Sequence, residues 1–176
     1  GFGVQFGNEV NQIYANTLGA GASMKEAGDA ILALANNFSA FNPKADAANE
    51  YMATTIVRLT KIGVSADASA KTMDYFTRVM GMSAEESADM TVKLATMGRE
   101  MGVTSSKMIS DFGAVQGRLA VFGDRGTKVF QGLASAAKAT GLQMSTLVGF
   151  AGQFDQFDTA AEKAAKLNAV LGTNIS

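Results

Sequence analysis

The sequence has no cysteine, no histidine and no tryptophan, and its single proline is Pro43. Without cysteine there are no disulfides and no thiol nucleophiles, and without cysteine and histidine there are no Cys/His zinc sites. Histidine is also the commonest general base near neutral pH, so neither a Ser-His-Asp nor a Cys-His hydrolase can be assembled from these residues. An all-carboxylate active site remains possible. Basic runs are missing as well. With 15 Lys plus Arg against 16 Asp plus Glu and a net charge of −1, the chain lacks the clustered cations that neutralise nucleic-acid phosphates, and no sequence-specific nucleic acid is expected as a partner. The longest uncharged stretch, Ala139 to Phe154, contains Thr140, Gln143, Ser145, Thr146 and three glycines, which makes it a poor membrane span.

The remaining composition is enough for a core. The 176 residues are 47% hydrophobic and 18% charged, the composition of one globular domain or two small ones. The chain begins at Gly1 rather than Met and shows no signal-peptide pattern, so we expect it to be a piece of a longer protein or a processed product.

The local grammar is that of short helices. KIGVSADA (61–68), VMGMSAEESADM (79–90) and EMGVTSSK (100–107) each end one helix and start another, and ATGLQMST (139–146) does so more loosely. Gly63, Gly81, Gly102 and Gly141 fit the C′ position, where the left-handed backbone carries no Cβ penalty in glycine. Each is preceded by a cation in the last turn (Lys61, Arg78, Arg99, Lys138), which complements the helix dipole. Val64, Met82 and Val103 come next as apolar C″ residues, facing Leu59, Phe76 and Met97 one turn back. Ser65, Ser83 and Thr104 then fit as N-caps. Ser83 with Glu86, Ser23 with Glu26 and Thr159 with Glu162 read as capping boxes, Val103 with Met108 as a hydrophobic staple, and Asn42 before Pro43 as a cap preceding proline at the first helical position.

Interior spacings agree. Met90, Leu94, Met97 and Met101, then Met108, Phe112, Val115, Leu119 and Phe122, then Ile31, Leu34, Phe38 and Phe41, and Ala160, Ala164, Leu167 and Leu171 recur at threes and fours. That is the stripe of an amphipathic helix. The spacing predicts helices near 7–18, 24–41, 43–62, 66–80, 84–101, 105–122, 127–140, 145–157 and 159–171. Glycines 63, 81, 102, 123 and 141 lie 18, 21, 21 and 18 residues apart. The expected fold is therefore all-α, an array of short amphipathic helices joined by tight Gly-hydrophobic-Ser/Thr turns. We expect an N-terminal helical segment over 1–41 and a multi-helix domain over 42–176. As one unbroken helix the chain would reach roughly 260 Å, and the glycines argue against that.

No stretch reads as an active site. GDRGTK (123–128) has two residues between Gly123 and Gly126, and Val129 after its lysine. A phosphate-binding loop needs four residues there and a Ser or Thr, so the stretch reads as a turn and a helix start. FDQFD (154–158) with Glu162, and Glu85, Glu86 and Asp89, read as carboxylates stabilising helix N-termini. The ten methionines read mainly as core filling, and the small residues at 134, 136, 137, 160, 161, 164 and 165 as sites of close helix approach. No catalytic, cofactor-binding or metal-ligating residue is assigned.

Two stretches do resemble a known family. GVSADASAKTMDYFTRVMGMSAEESADMTVKLATMGREMGVTSSKMISDF (63–112) and LAVFGDRGTKVFQGLASAAKATGLQMSTLVGFAGQFDQFDTAAEKAAKLNAVLGTNIS (119–176) are similar to the tail tape measure proteins of tailed bacteriophages, most specifically in VFGDRG, ATGLQMS and FDQFDTAAEKAAKLNAVLG. They cover about three fifths of the chain and leave out the first 62 residues, of which the first 50 resemble no known family. The resemblance implies a structural virion protein in the tail tube lumen or baseplate hub, acting in tail length determination, tail assembly and DNA ejection. It implies several copies (a trimer or hexamer), tail tube and hub proteins as partners, and membrane contact only at ejection. It implies no enzymatic activity and no cofactor. A measuring rod is expected to be continuous helix. A segment broken every twenty residues is instead expected to be a folded portion, seated in the hub. Two other readings stay open: a carboxylate-dependent cell-wall hydrolase using Glu86, Asp155, Asp158 or Glu162, and a membrane-active helical module inserting 139–154.

Overall fold

Seven α-helices succeed one another along the described residues, 6–141 of this computed structural model, and no strand occurs among them. They are α1 (Gly7–Thr17), α2 (Met24–Asn37), α3 (Asp46–Thr60), α4 (Ala66–Met80), α5 (Ala84–Glu100), α6 (Ser105–Leu119) and α7 (Gly126–Thr140), with 3-10 turns at Leu18–Ala20 and Ala120–Arg125. The all-α array is thus the fold. The helices expected over 145–157 and 159–171, and the Thr159–Glu162 capping box, lie outside the described residues.

Each helix folds back on its predecessor. α3 is central: it packs on α1, α2, α4 and α5, while α4 also meets α2 and α6, and α6 meets α5 and α7. Two apolar clusters result. The first joins Ile13 of α1, Ile31 and Leu34 of α2 and Met52, Ile56 and Val57 of α3 to Ala70 and Met73 of α4. The second joins Tyr75 and Phe76 of α4, Leu94 of α5, Met108, Ile109 and Phe112 of α6 and Phe130 of α7. The segment before residue 42 and the helix after it thus share one core. Of the methionines, Met52, Met73 and Met108 are buried, and Met24 is exposed.

Three helix boundaries differ from the expected ones. α2 stops at Asn37, not at residue 41. Phe38 turns extended (φ −107°, ψ 106°), and the Ser39 N–H and hydroxyl both donate to Asp74 of α4. Phe38 and Phe41 still join the core, Phe41 against Phe6 with ring centroids 5.9 Å apart. α3 starts at Asp46, not at Pro43, and its N-cap is Ala45 with no side-chain cap. Asn42 caps a turn instead: its Oδ1 accepts from Lys44 N–H at 3.0 Å and its carbonyl from Ala45 N–H at 2.9 Å. The buried Asn49 side chain donates to the same carbonyl at 2.8 Å and fixes that turn against α3. α6 stops at Leu119, short of Phe122, and passes into a 3-10 turn containing Gly123 at φ 53°, ψ −129°.

Candidate functional site

The residues singled out from sequence fall at the helix reversals. At Gly63 (φ 88°) the glycine N–H donates to Thr60 O at 3.0 Å and Val64 N–H to Leu59 O at 3.1 Å, the paired bonds of a Schellman stop. Val64 is buried, and Ser65 Oγ accepts from Ala68 N–H at 3.2 Å to open α4. Gly102 (φ 72°) repeats the pattern, with Gly102 N–H on Arg99 O at 3.0 Å and Val103 N–H on Gly98 O at 2.8 Å. Thr104 Oγ1 then accepts from Lys107 N–H at 3.1 Å. Gly81 (φ 69°) is a wider variant in which Met82 N–H reaches Phe76 O at 3.2 Å. Ser83 and Glu86 form the full box, Glu86 N–H on Ser83 Oγ at 3.1 Å and Ser83 N–H on Glu86 Oε2 at 2.9 Å. Gly141 (φ 72°) caps α7 with its N–H on Ala137 O at 2.8 Å. Gly126 is not a turn residue. It begins α7 with helical angles, and a Cβ there would sit 3.2 Å from Leu119 O and 3.4 Å from the Tyr75 hydroxyl.

A further reversal, between the helices expected over 7–18 and 24–41, has the same grammar. Gly21 (φ 72°), Ala22 and Ser23 keep the Gly-apolar-Ser order, with Gly21 N–H on Leu18 O at 2.9 Å and Ala22 N–H on Thr17 O at 3.3 Å. Gly21 lies 42 residues before Gly63, twice the 21-residue interval seen downstream. The Asn42 turn falls midway.

Side chains from distant helices fasten these reversals. Lys61, in the last turn before Gly63, donates to Gly21 O at 2.8 Å and pairs with Glu26 Oε1 at 2.6 Å. Glu26 meanwhile closes the box with Ser23, its Oε2 accepting from Ser23 N–H at 2.7 Å. The hydrogen bond from Lys61, then those from Ser23, hold the Glu26 carboxyl down at about 2. One lysine therefore ties the Gly21 turn, the start of α2 and the end of α3 together. Tyr51 of α3 donates to Asp89 of α5 at 2.7 Å, and that bond to a carboxylate pushes its phenol above the usual range. Inside α5, Gly98 permits the tightest approach: a Cβ there would lie 2.9 Å from Met108 Cβ and 3.1 Å from Thr104 O. The Ser105 hydroxyl completes that corner with a buried bond to Ala95 O at 2.8 Å. No local cap pattern shows these cross-chain ties. Only Gly98, a glycine inside a helical stripe, carries a signal of close packing.

Of the carboxylates weighed for acid–base chemistry, Glu86 is engaged in the capping box and Asp89 with Tyr51. Asp155, Asp158 and Glu162 lie outside the described residues. Among the described residues no group of three or more His, Cys, Asp or Glu is placed to hold a metal ion, and no helix is long and apolar enough to cross a membrane.

Among the described residues, two surface grooves are of similar size. One, of about 410 Å³, runs over α3 past Glu50, Tyr51, Thr54 and Arg58 to Asn16 of α1. The other, of about 400 Å³, lies between the α5–α6 reversal and the end of α7, lined by Met101, Val103, Met108, Ala134 and Ala137 together with the charged Lys107, Asp111 and Lys138. Among the described residues, the positions singled out from sequence, Gly126 apart, serve chain reversal. A scan against protein-family models and searches of curated proteins and of solved structures find no match to this chain.

Proposed function

We propose that the chain is a structural segment of a phage tail tape measure protein, a folded block seated in the tail tube lumen or baseplate hub rather than part of the measuring rod. In that role it acts in tail length determination, tail assembly and DNA ejection, without catalysis and without a cofactor. It sits in the virion as a symmetric oligomer, a trimer or hexamer, against tail tube and hub proteins.

One observation carries the reading. Successive Gly-apolar-Ser/Thr reversals turn a helical chain back on itself, so that its length is spent on packing instead of reach. The similarity of residues 63–112 and 119–176 to the tape measure family supports the same reading. The engagement of Glu86 in a cap counts against the hydrolase alternative.

Imaging of the intact particle tests it. Density for the bundle at a fixed, symmetry-related position in the tail or hub is expected, and in-frame removal of the segment should change tail assembly or length. A particle without the segment, or cell-wall cleavage or liposome leakage by the purified chain, would overturn the proposal.

A further inference from the structure

Counted from the left-handed glycines that follow every second helix, the chain repeats. Gly21, Gly63, Gly102 and Gly141 lie 42, 39 and 39 residues apart. Each interval holds one helix pair: α2 with α3, α4 with α5, α6 with α7. Two residues after the opening glycine, Ser23, Ser65 and Thr104 accept from the N–H three residues on, at 3.2, 3.2 and 3.1 Å. Six residues after it, Ala27, Ser69 and Met108 are buried. At ten residues Ile31, Met73 and Phe112 are buried, and at thirteen Leu34, Phe76 and Val115. The returning helix keeps register with the closing glycine. Ile56, Ala95 and Ala134, seven residues before it, are buried, as are Met52, Thr91 and Phe130, eleven before it.

The pairs are also fastened alike. Lys61, in the last turn of the first pair, donates to the carbonyl of Gly21, the glycine that opens that pair, at 2.8 Å. In the third pair the Lys138 ammonium lies 3.9 Å from where a Cβ on the opening Gly102 would stand. Packing follows the same order. α1 rests on α3 and α3 on α5, while α2 rests on α4 and α4 on α6. Among the described residues no substantial contact joins a helix to one beyond its second neighbour, which is the nearest-neighbour pattern of a stacked array. A single helix is not the unit. Counted from Gly81, α5 keeps Ser87, Thr91 and Leu94 buried at six, ten and thirteen residues. Counted from Gly123, α7 leaves Val129, Leu133 and Ala136 only half-buried at those places. The corners inside the pairs differ as well: an Asn42 side-chain turn, a left-handed Gly81 cap and a 3-10 turn at Gly123. We propose that residues 22–141 are three copies of one helical hairpin, stacked as an array that gains or loses a whole hairpin without losing its fold. The inference does not rest on the virion role and holds or fails without it.

Register-matched deletions and a duplication in the full chain test it. Deletion of 64–102 joins Gly63 to Val103, and deletion of 64–81 joins Gly63 to Met82. Both keep a glycine, an apolar residue and a Ser or Thr cap at the junction, but only the first removes a whole hairpin. A tandem duplication of 64–102 adds one, and covers the case in which the deletion brings mismatched side chains together. At least one of the two whole-hairpin variants should keep a cooperative thermal transition and the parent's helical signal per residue in far-UV circular dichroism. The 64–81 deletion, which leaves every later helix running the wrong way, should lose the transition. A repeat of single helices would instead tolerate the removal of one helix as readily as two. Loss of the transition in both whole-hairpin variants would overturn the proposal, as would a 64–81 deletion that melts as cooperatively as either of them.

Discussion

The two cores of this bundle are built from different residues. The first, around α1 to α3, is rich in alanine: Ala22, Ala27, Ala30, Ala33, Ala53, Ala70 and Ala88 are all buried in it. The second, around α4 to α7, is organised by rings. Phe112 stands 5.2 Å from Tyr75, 5.3 Å from Phe76 and 5.1 Å from Phe130, edge-on to Tyr75 and Phe130. Small side chains bring helix backbones close and leave little room to add atoms. Rings fill wide gaps and leave a large hole when removed. The first core is thus vulnerable to enlargement and the second to truncation. α3, α4 and α5 feed both, so damage to either reaches the same three helices.

Crossed substitutions test that contrast. Phe112→Ala should have the largest effect. The ring is fully buried, and its removal is expected to cost about 3–5 kcal/mol, read from the chemical-denaturation midpoint. Ala53→Leu in the first core should cost about 1–3 kcal/mol by overpacking. Gly98→Ala belongs to the same class although it adds one methyl, because that methyl meets Thr104 O and Met108 Cβ; about 1–3 kcal/mol is expected there as well. If Phe112→Ala proved harmless while Ala53→Leu unfolded the chain, the assignment of roles to the two cores would be reversed.

The reversals give smaller, sharper effects. Gly63→Ala has open space for its methyl but a φ of 88°, so the expected loss of about 1–2 kcal/mol is purely conformational. An unchanged thermal midpoint would mean the backbone at residue 63 is not left-handed. Glu26 supplies the pH arm. Its folded value, about 2, lies below the ordinary 4.5. The stabilisation is therefore complete above about pH 4.5 and is lost as pH falls through 4.5 towards 2. Glu26→Gln should flatten that part of the stability profile, as should Lys61→Met. Profiles that superimpose on the parent would remove the Lys61–Glu26 tie.

Legibility in the sequence was local. Gly63, Gly81 and Gly102 with Ser65, Ser83 and Thr104 could be read because a Schellman stop and an N-cap are each written within about six residues. The boundaries at Phe38 and Pro43 were misread because the deciding partners, Asp74 for Ser39 and Asn49 for Asn42, sit elsewhere in the chain. Periodicity carried Phe38 and Phe41 on as helix. Their place in the core was right and their backbone wrong, since a turn can deliver the same rings. The Gly21 reversal shows the opposite failure. Its grammar was complete, but alanine at the C″ position is a weak apolar signal. The Lys61 tie had no local signature at all.

The central claim is that glycine reversals bring α4 and α6, separated in sequence by all of α5, side by side. Spin labels at Arg78→Cys and Ala114→Cys in the cysteine-free chain measure this directly by pulsed electron resonance. Both positions are exposed, next to the Phe76–Phe112 contact. Packed helices have axes about 8–10 Å apart, so a single distance population below about 30 Å is predicted. A population near 54 Å, the rise of about 1.5 Å per residue carried unbroken from 78 to 114, would contradict it.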